Sequence, residues 1–361
     1  MLTIAVDTGP LHGPATGIAR ATAGIVDELS RRDVSVVPYV LSFRASLNAG
    51  TRRIPLPAAI ALRTWGKFGR PRVERSWRDV DVIHGTNYVV PPSRRPRLVS
   101  VYDCWALDQP QLVHPDVRLA MNALRRSVRD GAVIHASSHA TARRLAHHFP
   151  GAPVETIHLG ATPPLPAPAR RPSSLDAIPD GVAFVASIGT LERRKNVPTL
   201  VTAFGSIADG LPDLHLVIAG GAGDDSSDVE TAIAALSPSS RRRVHVLGRV
   251  DDETAAWILH NARVLAYPSL DEGFGFPLLE AMACGVPIVA SDVGSIPEIA
   301  GDAALLVAPS DVDGLAHALS TAVGDEHTRA RLISAGRTRH GDFTWERTVD
   351  DLMALYERMI R

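Results

Sequence analysis

Short apolar runs alternate along the chain with stretches whose apolar positions recur at helical spacing. Leu2–Val6 leads through a glycine-rich loop to Ile18, Ala21, Thr22, Ile25, Val26 and Leu29, which share one helix face. Val34–Val37, Val82–His84, Leu98–Tyr102 and Ala132–Ile134 read as further strands. Residues 161–174 hold too many prolines for a core element and read as a linker. Beyond them the alternation restarts with Ala183–Ile188, Leu214–Ala219, Val244–Leu247, Val264–Tyr267, Pro287–Ala290 and Ala304–Val307. An amphipathic helix spanning Phe343 to Ile360 closes the chain. Strands alternating with helices predict an α/β protein with parallel sheets covered on both faces. Two such units joined by a linker would form a cleft, with ligands at the carboxyl ends of the strands.

One segment, Tyr267 to Ser291, carries the most chemistry. Two carboxylates, Glu272 and Glu280, flank the turn Gly273-Phe-Gly-Phe-Pro277. The apolar run before it reads as a buried strand, and Pro277 suits a first helical position because its missing N–H costs nothing there. This places Glu280 in the first helical turn and Glu272 in the loop. A strand, a glycine turn and a helix N-terminus together favour an anion. Acids beside an anion site make electrostatic sense when the ligand also brings hydroxyls, as a sugar nucleotide does. The second segment, Ser187-Ile-Gly-Thr-Leu-Glu-Arg-Arg-Lys-Asn196, follows a strand directly. Taken alone, Arg193, Arg194 and Lys195 leave a solvated basic turn open as one alternative. Taken with Glu272 and Glu280, they form the cationic half of a diphosphate site. Among 38 basic residues only Lys67 and Lys195 are lysines, which singles out positions where a compact ammonium differs from a guanidinium.

Composition narrows the class. A length of 361 residues calls for two domains. Hydrophobic content of 45% with a net charge of -1 describes a globular protein. Cys104 and Cys284 give no disulfide framework and fit a reducing compartment. No signal-peptide pattern opens the chain, and no run approaches the roughly 18 apolar residues of a membrane span. The expectation is therefore a cytoplasmic protein. A pI near 6.9 and the lack of a binding module argue against nucleic acid. The pairs Asp79/Asp81 and Asp311/Asp313, with Asp224/Asp225 in a glycine-rich turn, qualify by spacing for a divalent cation, but aspartates at turns and caps are the plainer reading. No metal is expected. His84 ends a strand and is expected to face the cleft with Asn87 and Tyr88. Residues 51–78 hold eight basic side chains against Glu74, interleaved with Ile54, Leu56, Ile60, Leu62, Trp65 and Phe68. Two readings stand level: a surface for an anionic inner membrane, which would make the protein peripheral, and an ordinary Arg-rich helix pair.

The pattern Pro-Ser-x-x-Glu-Gly-Phe-Gly-x-Pro-x-x-Glu-Ala-Met-Ala-x-Gly-x-Pro resembles the signature of the retaining glycosyltransferases of family four, which have the GT-B fold. The Gly-Thr-Leu-Glu-x-Arg-Lys-Asn run resembles that family's phosphate loop. Gly17-Ile-Ala-Arg20, Ser138, Ile157–Gly160, Gly248-Arg-Val-Asp251 and Phe343-Thr-Trp-Glu346 extend the likeness over the whole chain. The resemblance implies two Rossmann-like domains, 1–160 on the acceptor side and 176–342 on the nucleotide-sugar side. A proline-rich linker, 161–175, would join them, and the final helix, 343–361, would cross back to the first. It further implies that Glu272 binds donor-sugar hydroxyls, Glu280 the ribose hydroxyls, and Arg194 and Lys195 the diphosphate. Gly273, Phe274, Gly275, Phe276 and Leu279 would line the donor, with Val250 near the base and Gly17 near the phosphate. His12, Arg20, Asn87, Tyr88 and Tyr102 fall on the acceptor side. Three departures stand out. Thr190 replaces a common arginine, Arg193 adds a cation, and Tyr102-Asp103 stands where many relatives have His-Asp, which leaves Asp103 and Tyr102 as substitutes for the histidine.

The reading is thus a metal-independent, retaining transferase without a cofactor. It moves a hexose, mannose-type favoured, from a nucleoside-diphosphate sugar to a glycan or lipid-linked acceptor in cell-envelope polysaccharide or glycolipid synthesis. The alternatives are a catalytically silent nucleotide-sugar-binding protein and another GT-B enzyme, such as a sugar-nucleotide epimerase or a phosphorylase.

Overall fold

The computed structural model describes residues 1–361 except 14, 15, 43–46, 48, 49, 74–76, 162, 164, 165 and 169. It divides into two compact units, Met1–Gly160 with Phe343–Arg361, and Ala161–Asp342. In the first unit the elements run β1 (Leu2–Asp7), α1 (Gly17–Leu29), β2 (Val34–Leu41), β3 (Arg52–Ile54), α2 (Ala58–Phe68), β4 (Val82–Gly85), β5 (Arg97–Val101), α3 (Trp105–Asp108), α4 (Pro115–Arg129), β6 (Val133–Ala136), α5 (His139–His148) and β7 (Val154–Thr156). The second unit holds β8 (Ala183–Ile188), α6 (Val197–Ala208), β9 (Leu214–Ala219), α7 (Ser226–Ala235), α8 (Pro238–Arg241), β10 (Val244–Gly248), α9 (Asp252–Asn261), β11 (Val264–Tyr267), α10 (Phe276–Cys284), β12 (Ile288–Ser291), α11 (Ile296–Ala300), β13 (Ala304–Val307), α12 (Val312–Gly324) and α13 (Glu326–His340). The last helix, α14 (Trp345–Ile360), belongs to the first unit.

Each unit is a parallel sheet, as strand–helix alternation requires. The strand orders are β3-β2-β1-β4-β5-β6-β7 and β10-β9-β8-β11-β12-β13. The direction of winding reverses between β1 and β4 in one sheet and between β8 and β11 in the other. Such reversals open a crevice at the carboxyl ends of the strands, where α/β sheets bind ligands. Strands β4, β5, β9 and β11 are buried at every residue, which explains their unbroken apolar runs. Helices α2 and α4 cover one face of the first sheet over Tyr39, Trp65, Trp77, Ile83, Val99 and Leu124. In the second unit α6 and α12 pack against β8, β9 and β11 around Leu200, Phe204 and Leu319.

Trp345 fixes α14 to the first unit. A Cβ on Gly24 would lie 2.2 Å from its ring, and one on Gly160 2.4 Å from its backbone nitrogen, so both glycines make room for it. A buried chain of hydrogen bonds does the rest, and its direction follows from one end. Ile157 O only accepts, so His135 Nε2 donates to it at 2.9 Å. The other nitrogen, Nδ1, must then accept the Ser100 hydroxyl at 2.8 Å. Ser100 Oγ in turn accepts His84 Nε2–H at 2.8 Å, leaving His84 Nδ1 to accept from Tyr356 of α14 at 2.7 Å. Both imidazoles are neutral in this arrangement. Burial, with each ring beside another histidine, pushes His84 down to about 3 and His135 down to about 4. His84 therefore faces the core, which corrects its expected place beside Asn87 and Tyr88. Its position on β4, opposite Leu98 and Val6, directs it to the face that α14 covers.

The basic stretch 51–78 divides. Ile54, Trp65 and Trp77 are core residues, and Arg52 donates to Asp79 at 2.9 Å. At Gly66 the two helices approach so closely that a Cβ would lie 3.2 Å from Asn122. Ile60, Phe68, Arg63 and Lys67 stay exposed on α2. Glu74 and Arg75 lie outside the described residues.

Candidate functional site

At the β8/β11 reversal two loops meet. Gly189, with φ +148, turns the chain out of β8, and Gly220 lets the backbone pass, since a Cβ there would lie 1.7 Å from Gly189 O. The cations Arg193–Lys195 form a single 3-10 turn, ended by Asn196 in the left-handed region with φ +54. Asn196 joins the loops, donating to Pro268 O at 3.1 Å and Pro309 O at 3.0 Å. Leu270 N donates to Arg194 O at 2.7 Å, and Arg194 Nη1 to Asp271 O at 3.2 Å. From the other side Ser295 N and Oγ donate to Glu272 O at 3.0 and 3.1 Å, and Ser295 Oγ also reaches Phe274 O at 2.9 Å. A Cβ on Gly294 would lie 2.4 Å from Glu272 O, so only glycine admits this approach.

The loops so fixed bring Arg194, Lys195 and Glu272 together. Glu272 Oε1 accepts from Arg194 Nη1 at 2.9 Å, and Oε2 from Lys195 Nζ at 2.7 Å. The Tyr267 hydroxyl also donates to Oε2 and accepts from Lys195 Nζ at 2.9 Å. Burial would raise the Glu272 carboxyl, but Lys195 and Arg194 outweigh it and hold it down at about 2. Burial, then Glu272, pushes the Tyr267 phenol well above its ordinary range. This is a partly buried cluster at a strand end in which Arg194 and Lys195 share Glu272, and Arg194 also pairs with half-buried Glu192 at 3.5 Å. It can hold an anion and offer a carboxylate to a neighbouring hydroxyl.

The remaining predicted residues fall around this cluster or in the other unit. Gly275, with φ +107, caps α10, so the helix starts at Phe276 and Pro277 is its second residue. Glu280 is consequently the fifth, past the first turn rather than in it, and half-buried. Gly273, Phe274 and Phe276 are buried in the loop and helix start, and the Leu279 side chain is core. Val250 is half-buried in the turn after β10. In the first unit Gly17 starts α1, Arg20 is half-buried on it, and His12 is exposed in the 3-10 turn after β1. Asn87 is exposed and Tyr88 half-buried in the loop after β4. Tyr102 is buried after β5, and half-buried Asp103 donates its N–H to Tyr88 OH at 3.2 Å. The aspartate pairs do structural work: Asp311 caps α12, Asp81 accepts from Thr3 N, and Asp224 accepts from Arg193 N. Tyr267 and Asn196 escaped sequence reasoning. Tyr267 looked like strand filler, and Asn196 differs from its neighbours only in being the residue type that tolerates positive φ.

A family model described as glycosyl transferases group 1 matches residues 175–339. These residues cover nearly all of the second unit, including both loops of the cluster. That stretch of the chain is similar to the glycosyl transferases group 1. Among curated relatives, the O-antigen chain mannosyltransferase B of Escherichia coli is 33% identical over 174 residues, 48% of this chain and 45% of that protein. The MMP alpha-(1->4)-mannosyltransferase of Mycolicibacterium hassiacum is 40% identical over 121 residues, 32% of this chain and 29% of its own. Each match thus spans less than half of the relative. Among solved structures, sucrose-phosphate synthase of Thermosynechococcus elongatus superposes with TM-score 0.74 at 20% identity over 99% of both chains. Anabaena Alr3699/HepE, solved with UDP and glucose, gives TM-score 0.74 at 17% identity over 99% of this chain and 100% of its own. These likenesses establish the fold as GT-B, with two Rossmann-like domains. Among the described residues no helix is long and apolar enough to cross a membrane.

Proposed function

We propose that the chain is a retaining glycosyltransferase that moves a hexose, mannose-type favoured, from a nucleoside-diphosphate sugar to a glycan or lipid-linked acceptor of the cell envelope. The observation that carries this reading is the Arg194–Lys195–Glu272 cluster at the β8/β11 reversal. Cations fixed there meet the charge that develops on a departing diphosphate, the electrostatic term that usually dominates such catalysis. Glu272 supplies the hydroxyl contact a sugar needs, and α10, with Glu280, the ribose side. The names of two matched relatives, both mannosyltransferases, support the mannose preference. With two cations on the leaving group, the reaction needs no divalent metal, so EDTA should leave turnover unchanged.

Thermal shift across nucleoside diphosphates and their sugars tests donor binding, because a ligand of the native state raises the apparent melting temperature. Incubation with the stabilising donor should then release nucleoside diphosphate, and the product's anomeric configuration should match the donor's. Stabilisation by none of them would sink the reading, and binding without turnover would support a silent binding protein. The reading includes peripheral docking on the inner membrane through the exposed α2 face, where Ile60 and Phe68 stand beside Arg63 and Lys67. Equal flotation with anionic and neutral vesicles would end that part of it.

A further inference from the structure

Two of the 38 basic residues are lysines, and they sit in unlike places. Lys67 is exposed on α2, where an arginine would serve as well. Lys195 is confined. Its side chain is 15% exposed, and its Nζ lies 2.7 Å from Glu272 Oε2, 2.9 Å from the Tyr267 hydroxyl and 4.7 Å from the centre of the Tyr267 ring. Its stem passes Gly189, where an added Cβ would lie 3.6 Å from Cε. An ammonium has three donors; the two oxygens take two of them and leave one for a ligand. In arginine the guanidinium carbon stands as many bonds from Cα as Nζ does in lysine. The terminal nitrogens of an arginine at 195 would therefore fall on the oxygens that now surround the ammonium, in a flat fork that cannot fold away from them.

Tyr267 is the fixed part of this enclosure. It ends β11, between β8 and β12 in the sheet, and is 3% exposed. Its hydroxyl donates to Glu272 while accepting from Lys195, so one oxygen ties the loop after β8 to the loop after β11. Burial and then the charge of Glu272 keep the phenol protonated, so it stays a donor. The Glu272 side chain is 11% exposed, and it accepts from Arg194, Lys195 and Tyr267. A diphosphate that draws both cations would leave it the phenol, and a buried carboxylate stripped of every donor is costly.

We infer that Tyr267 is a positioning residue: its hydroxyl aims the free N–H of Lys195 at the leaving diphosphate, holds Glu272 when the cations turn away, and restricts position 195 to lysine. This deepens the transferase reading and rests on it for the identity of the diphosphate.

Titration calorimetry with inorganic pyrophosphate, without magnesium, reads the grip on a diphosphate apart from turnover. Lys195→Arg keeps the charge but overfills the enclosure, and should weaken binding about tenfold. Tyr267→Phe should weaken it about threefold, for one neutral hydrogen bond. Removing the phenol oxygen also opens the space a guanidinium needs. The double variant should therefore bind about threefold tighter than Lys195→Arg alone, whereas independent losses would make it weaker. A merely structural tyrosine would lower the melting temperature of both Phe variants and give no such recovery. Wild-type affinity in Lys195→Arg would overturn the inference without any tyrosine variant having to fold. Losses that simply multiply, or no pyrophosphate binding by the wild type, would overturn it as well. If the recovery is seen but no sugar nucleotide is turned over, the transferase reading falls and the positioning role stands. If a sugar nucleotide is turned over and the losses multiply, the reading stands and the positioning role falls.

Discussion

The two sheet reversals are the same architectural place filled with opposite chemistry. At β8/β11 two cations enclose a carboxylate that they hold at about 2, so the group stays ionised. At β1/β4 burial pushes the Asp7 carboxyl up to about 7, with no ion pair among the described residues. The fold supplies the crevice in both, and loop residues decide what each receives. The contrast is strongest at Lys195, whose ammonium pairs with Glu272 at 2.7 Å. Lys195→Ala should lower turnover by about 10²–10³-fold, the range for removing one preorganised donor, with the circular dichroism spectrum unchanged. Near-normal turnover would remove the cationic half of the comparison.

The units also differ in how they store histidine. His84 and His135 are wholly buried and neutral, whereas His215 of β9, 8% exposed, stacks on half-buried His245 of β10 with centroids 5.1 Å apart. Burial lowers all four. A histidine lowered in the folded state binds its proton on unfolding, so stability is full above the unfolded value near 6.5 and is lost as pH falls toward the folded value. Acid should therefore weaken the first unit from pH 6.5 down to about 4, by about 1.4 kcal/mol per pH unit for each histidine fully charged on unfolding. Hydrogen exchange resolved by peptide should show this loss in β4, β6 and α14 before β9 and β10. A His135→Asn variant with an unaltered acid slope would refute the buried-charge explanation.

Buried strands were legible because burial on both faces writes an unbroken apolar run; β8, β9 and β11 match their expected bounds, as does β13, a half-buried edge strand with an apolar sequence. The three-residue edge strands β3 and β7 were not. Arg52-Arg-Ile and Val154-Glu-Thr lack such a run and pair through backbone alone along one side. Expected strand β2 stopped at Val37, whereas the ladder carries it past Pro38 to Leu41. At the site, charged residues in glycine turns announced themselves, and Arg194, Lys195 and Glu272 do converge. Tyr267 and Asp7 did not, because a polar residue that ends an apolar strand reads as its boundary. His84 was misplaced for the converse reason: a polar side chain at a strand end suggested exposure, and only α14, from the far end of the sequence, supplies its partner.

That distant closure gives a smaller effect confined to one unit. Gly24→Ala drives a methyl into the Trp345 ring, and overpacking of this kind costs about 1–3 kcal/mol. The equivalent change at Gly324, in open space on α12 of the second unit, should leave stability unchanged or raised. Chemical denaturation of both variants reads the difference, and equal midpoints would show that α14 does not depend on the Trp345 slot.

The finest test separates the two roles of Glu272. Its carboxylate pairs with both Arg194 and Lys195, so on the proposed reading a diphosphate competes with it for them. Glu272→Gln removes that competing charge while keeping the shape. Free nucleoside diphosphate should then bind more tightly, by roughly fivefold or about 1 kcal/mol. The sugar nucleotide gains the same relief but loses the carboxylate's contact with its hydroxyls, so its advantage over the free nucleotide should shrink. Titration calorimetry of the two ligands on wild type and variant measures both terms. Weaker binding of the free nucleotide to the variant would mean that Glu272 positions the cations instead of competing for them, and the two reversals would then differ only in charge, not in whether the carboxylate must yield to its ligand.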